Sequence, residues 1–68
     1  MTVLEDILEL LSDGVQRNPD EISRVIKADL HLINEALAFL AEYNFVRRGS
    51  NGRYILDEEV KRFLDIQS

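Results

Sequence analysis

The chain has no cysteine, which excludes disulfides and thiolate metal sites, and its single histidine, His31, cannot build a zinc site by itself. It also lacks tryptophan and carries only two tyrosines and three phenylalanines. Cations are scarce, with eight Lys and Arg against thirteen Asp and Glu and a formal net charge of −5. Proteins that bind nucleic acid draw most of their affinity from cations placed on phosphates, and this balance argues against strong non-specific DNA binding. There is no apolar run of about 20 residues to span a bilayer, and the opening segment, with Glu5, Asp6 and Glu9, is unlike the basic start of a signal peptide. A cytoplasmic location is the expectation.

At 68 residues there is room for one domain, residues 1–68, and a chain of this size buries only about 60% of the surface its unfolded form exposes. A 46% hydrophobic, 31% charged composition is that of a folded globular chain. The charge is unevenly spread. Residues 1–45 hold nine acids against Arg17, Arg24 and Lys27, whereas residues 46–68 hold Asp57, Glu58, Glu59 and Asp65 against Arg47, Arg48, Arg53, Lys61 and Arg62. The first part is −6 and the second +1.

Thr2 with Glu5 three residues later is a capping box, and Gly14 can close the helix that follows. On a 100° wheel, Val3, Leu4, Ile7, Leu8, Leu10 and Leu11 share one arc, while Glu5, Asp6, Glu9 and Asp13 lie opposite as a solvated face. Asn18-Pro19-Asp20-Glu21 starts a second helix, with Asn as cap, Pro in the first turn and acids at the positive dipole end. It runs to about Lys27 and turns Ile22, Val25 and Ile26 inward, leaving Ser23, Arg24 and Lys27 outside.

Asp29 caps a third helix, about Leu30 to Tyr43, which Asn44 ends in the left-handed conformation. Two helices joined by so short a turn form the helix-turn-helix pattern. Leu30, Ile33, Leu37, Leu40 and Ala41 form the heart of a broad apolar arc, extended by Leu32, Ala36, Phe39 and Tyr43. The narrow remaining arc holds His31, Asn34, Glu35, Ala38 and Glu42, with no lysine or arginine. Phe45-Val46-Arg47-Arg48, Gly49-Ser50-Asn51-Gly52 and Arg53-Tyr54-Ile55-Leu56 read as strand, turn and strand, the Asn-Gly pair being the strongest short-range hairpin signal. Asp57-Glu58-Glu59 opens a last short helix with Val60, Phe63 and Leu64 inward.

The stretch NPDEISRVIKADLHLINEALAFLAEYNFVRR resembles the winged helix-turn-helix domains of bacterial and archaeal transcription regulators. Proline and acids open the second helix, a leucine-rich run closes the third, and Glu42-Tyr43-Asn44-Phe45-Val46-Arg47-Arg48 looks like the family's exit into a basic strand, with Asn44 in place of the usual glycine. Two departures stand out: Lys27-Ala28-Asp29 replaces the glycine frequent in the turn, and the wing is short. The resemblance implies an α+β, mainly helical fold, with a three-helix helix-turn-helix core, a short β-hairpin wing and a short C-terminal helix.

It further implies binding of double-stranded DNA by a transcriptional regulator or accessory factor, with the third helix in the major groove and the wing on the backbone. His31, Asn34, Glu35 and Ala38 then face base edges, where Asn suits adenine and Glu accepts from cytosine. Arg47, Arg48 and Arg53, with Ser50 and Asn51, meet phosphate, and Arg24 and Lys27 add backbone contacts. So few cations per copy imply a homodimer on a palindromic site. The alternative reading of the three wing arginines is as edge-strand charges that prevent strand-to-strand aggregation, and of His31 as a surface or capping residue. The alternative function is a protein-interaction module without nucleic acid, in which Leu32, Phe39, Tyr43 and Phe63 meet a partner or a second copy. No nucleophile, base and orienting group stand at a catalytic spacing and no phosphate-cradling glycine loop precedes a helix, so neither enzyme activity nor a cofactor is expected.

Overall fold

The computed structural model describes residues 2–67. Its elements follow the order α1 (Val3–Leu11), α2 (Pro19–Ile26), α3 (Leu30–Glu42), β1 (Val46–Arg48), a 3-10 turn (Ser50–Gly52), β2 (Tyr54–Leu56) and α4 (Glu58–Gln67). This is a mainly helical α+β chain with one antiparallel hairpin.

Each helix start is set by a side chain that accepts an otherwise unpaired N–H. Thr2 Oγ1 accepts from the Glu5 N–H while the Glu5 carboxylate accepts from the Thr2 N–H, at 3.2 and 3.3 Å. Asn18 Oδ1 accepts from Glu21 at 2.8 Å and Asp29 Oδ2 from His31 at 3.0 Å. Asp57 Oδ1 accepts from the Glu59 N–H at 2.9 Å.

The ends of α2 and α3 use positive φ without glycine. Lys27 closes α2 at φ 63°, and Asn44 follows α3 at φ 64°. After α3 the Asn44 N–H donates to Ala41 and the Phe45 N–H donates to Leu40, the paired bonds of a Schellman stop. That stop takes Phe45 out of the strand in which the sequence had placed it, so β1 begins at Val46.

The hairpin pairs Val46 with Leu56, Arg47 with Ile55 and Arg48 with Tyr54. Asn51 (φ 59°) and Gly52 (φ 70°) occupy the left-handed positions an Asn-Gly hairpin turn requires. Outside the hairpin, Arg17 joins Tyr54 in an isolated antiparallel bridge, with reciprocal bonds of 3.0 and 2.8 Å. The segment between α1 and α2 is thereby tied to β2.

Ile7, Leu11, Ile22, Ile33, Ala36, Leu37, Leu40, Val46 and Leu56 form the buried core, so α1, α2, α3 and both strands each contribute. Val60 and Leu64 pack α4 against it. Three sequence assignments to the interior do not hold. Val25 and Phe63 are 55% and 58% exposed, and Leu30 is also exposed. Val25 falls outside because the two-turn α2 presents Ile22 and Ile26 to α1 and α3, leaving the intervening residue on its flank. Phe63 falls outside because Val60 and Leu64 already occupy the strip of α4 that reaches the core. Among the described residues no helix is long and apolar enough to cross a membrane.

Candidate nucleic-acid interface

The outward face of α3 is the one the wheel indicates: His31, Asn34, Glu35, Ala38 and Glu42 are all exposed. Burial of Ile33, Ala36, Leu37 and Leu40 fixes the helix's rotation and drives this face to solvent. His31 Nε2 and Glu35 Oε1 lie 2.7 Å apart one turn along the helix, an ion pair when the imidazole is protonated. This occupies two of the four proposed base-reading groups with each other. Asn34 and Ala38 make no such contact.

Beside this polar strip runs an apolar one. Leu32, Phe39 and Tyr43 are exposed rather than part of the core, with Phe39 and Tyr43 in a tilted ring contact at 4.8 Å and 50°. Such a contact contributes about 0.5–1.5 kcal/mol beyond its area.

The hairpin arginines separate into two kinds. Arg47 Nε donates to Asp57 Oδ2 at 2.9 Å, tying β1 to the start of α4. That guanidinium, together with the Glu59 N–H, holds the Asp57 carboxyl below the ordinary aspartate range. Arg48 and Arg53 are exposed, and neither side chain has an ion-pair partner among the described residues. Between them the exposed Ser50 and Asn51 form the tip, closed by the Gly49 N–H donating to the Arg53 carbonyl at 2.7 Å. Arg24 and Lys27 are exposed at the end of α2.

A cation in the sequence's acidic half proves structural. Arg17 is clamped by Asp13 and Glu21, both at 2.7 Å. The Val15 N–H first and then the Arg17 hydrogen bond hold the Asp13 carboxyl low, and the two carboxylates raise the guanidinium. The four-residue spacings Asp13–Arg17–Glu21 were visible in the sequence. They cross a loop, however, where helical periodicity predicts nothing. Among the described residues no group of three His, Asp or Glu is placed to hold a metal.

Arg24, Lys27, Arg48 and Arg53, which have no ion-pair partner among the described residues, thus accompany a helix whose exposed face carries two carboxylates and an adjoining apolar strip. No family model, no curated protein and no solved structure matches the chain.

Proposed function

We propose that this chain is a small winged helix-turn-helix domain that binds double-stranded DNA, as a transcriptional regulator or accessory factor, with α3 in the major groove and the hairpin as the wing on the backbone. The observation that carries the reading is the pair Arg48 and Arg53, exposed on either side of the Ser50–Gly52 tip and without an ion-pair partner among the described residues. The order helix, bridge at Arg17, helix, helix, hairpin supports the fold assignment. The Lys27 backbone supplies another support, since its φ of 63° puts a left-handed residue in the turn where the family frequently has glycine.

Arg47, committed to Asp57, contributes less than the other two arginines. Binding is weak and salt-dependent: Arg24, Lys27, Arg48 and Arg53 set a slope of log affinity against log salt near −3.6 or shallower for each copy, at about −0.9 per phosphate neutralised. The test is fluorescence anisotropy with a mixed-sequence duplex across a salt series. Arg48→Ala and Arg53→Ala are each expected to flatten the slope by about one without changing sequence preference, while Asn34→Ala changes preference alone. Absence of binding at low salt, or unaltered binding by both arginine variants, overturns the reading.

A second reading, a protein-interaction module on the same scaffold, is supported by the exposed Leu32, Phe39 and Tyr43 beside Glu35 and Glu42. Carboxylates next to an apolar strip are tolerated when no phosphate approaches. No catalytic role, cofactor or metal is part of either reading.

A further inference from the structure

On the flank of the molecule formed by α1 and α2 lies a shallow groove of about 480 Å³, lined by Asp6, Glu9, Leu10, Asp13, Val25 and Ile26. Half of the lining is aliphatic and half acidic. Asp6, Glu9 and Asp13 recur at spacings of three and four, so they run along one edge of α1 and just past its end. Asp13 is bonded to Arg17, but Asp6 and Glu9 have no ion-pair partner among the described residues. Val25, 55% exposed, stands in this groove as a branched apolar side chain in water, on a helix otherwise well ordered by its caps.

The same chain carries a second exposed apolar surface, with one exposed cation beside it. On α4 the inward Val60 and Leu64 leave Phe63 and Ile66 pointing away, 58% and 77% exposed, with Arg62 adjacent and also exposed. Phe63 and Ile66 are three residues apart and so lie on one side of the helix. An apolar pair flanked by a guanidinium is the complement of a lining that is half aliphatic and half acidic.

We propose that the α1–α2 groove is the seat for α4 of a second copy of this chain, Phe63 and Ile66 lying on Leu10, Val25 and Ile26 while Arg62 pairs with Asp6 and Glu9. Each copy has one groove and one α4, so a twofold arrangement fills both grooves at once and closes. A stable interface of standard size needs about 800 Å² from each partner, about one sixth of the 4798 Å² surface of the chain. The proposal does not depend on DNA binding, since none of these residues belongs to the phosphate or base contacts proposed above. Glu59, on the same side of α4 one turn before Phe63, is the charge that opposes the contact.

The test is sedimentation equilibrium of the full chain from micromolar to millimolar concentration at low and high salt. The expected result is a species of twice 7.9 kDa whose dissociation constant rises with salt. Val25→Glu and Phe63→Asp, both at exposed positions and checked by circular dichroism, each raise that constant about tenfold or more. Glu59→Gln lowers it. Glu9→Arg and Arg62→Glu each weaken the dimer, and the double variant recovers it, which a merely structural role for either residue does not produce. A monomer at every concentration overturns the proposal and leaves the groove to a basic segment of another protein. A dimer indifferent to Val25→Glu and Phe63→Asp also overturns it, and places self-association on the Leu32–Phe39–Tyr43 strip instead.

Discussion

At the residue scale the position with the most to say is Lys27. An L-residue held in the left-handed region costs of order 1–3 kcal/mol when it is bulky and unassisted, yet Lys27 sits at φ 63° because its N–H and that of Ala28 both reach the Ser23 carbonyl and close α2. The Ser23 hydroxyl in turn donates to the Ala28 carbonyl, so the turn is fully bonded despite the strain. Lys27→Gly is therefore expected to stabilise the fold by about 0.5–1 kcal/mol, the relief of the strained backbone exceeding glycine's extra unfolded entropy. Urea denaturation measures that gain; a lower midpoint refutes it. In the DNA reading the same change removes a phosphate contact, so stability and low-salt affinity should move in opposite directions. The sequence showed the missing glycine at this turn, but the conformation of its substitute depends on where α3 must start.

At the element scale the hairpin and α4 are coupled through Asp57. Its carboxylate accepts from Arg47 on β1 and from the Glu59 N–H at the start of α4, and its own N–H donates to the Phe45 carbonyl at 3.0 Å. Because Arg47 and the helix N–H favour the ionised form, the folded-state value lies below the unfolded one. The stabilisation is thus complete above the ordinary aspartate value of about 3.9 and is lost as pH falls through the depressed one. Urea midpoints measured as pH is lowered below about 4 should fall less steeply for Asp57→Asn than for the parent, with Asp13 sustaining the remaining slope. An identical slope in the two proteins would show that the Arg47–Asp57 contact does not form in solution. Helix starts, the Asn-Gly turn and the three-residue link between α2 and α3 were all legible in the sequence, because each depends on groups within three or four residues of one another. Arg47 looked like one of three equivalent arginines. Only the ten-residue return of the chain to Asp57 separated it from Arg48 and Arg53.

At the scale of the whole molecule, nine buried side chains from five elements share one core, and no buried position among them is polar. A chain of 68 residues has about 3–10 kcal/mol of total stability at ordinary per-residue values. Leu37 is fully buried in α3, the helix that contacts α1, α2 and β1. Leu37→Ala should cost about 2–5 kcal/mol and consume most or all of that margin. Loss of the cooperative thermal transition is the expected observation, and a change in midpoint of only a few degrees would mean that the neighbouring side chains collapse into the space.

The sequence alone determined the element order, the helix caps, the Asn44 stop, the four buried residues of α3 within its apolar arc and the charge asymmetry, since all of these follow from local hydrogen bonding and helical periodicity. Tertiary structure decided which apolar residues remain outside. A wheel assigns Val25, Leu30, Leu32, Phe39, Tyr43 and Phe63 to an apolar arc, but a core this small accepts only the central strip of each helix, and the flanks stay in water. The pairings of Arg17 and Arg47 and the α1–α2 groove were likewise beyond the sequence's reach. They arise where separate elements meet, and that meeting is set by packing of the core rather than by the spacing of residues along the chain.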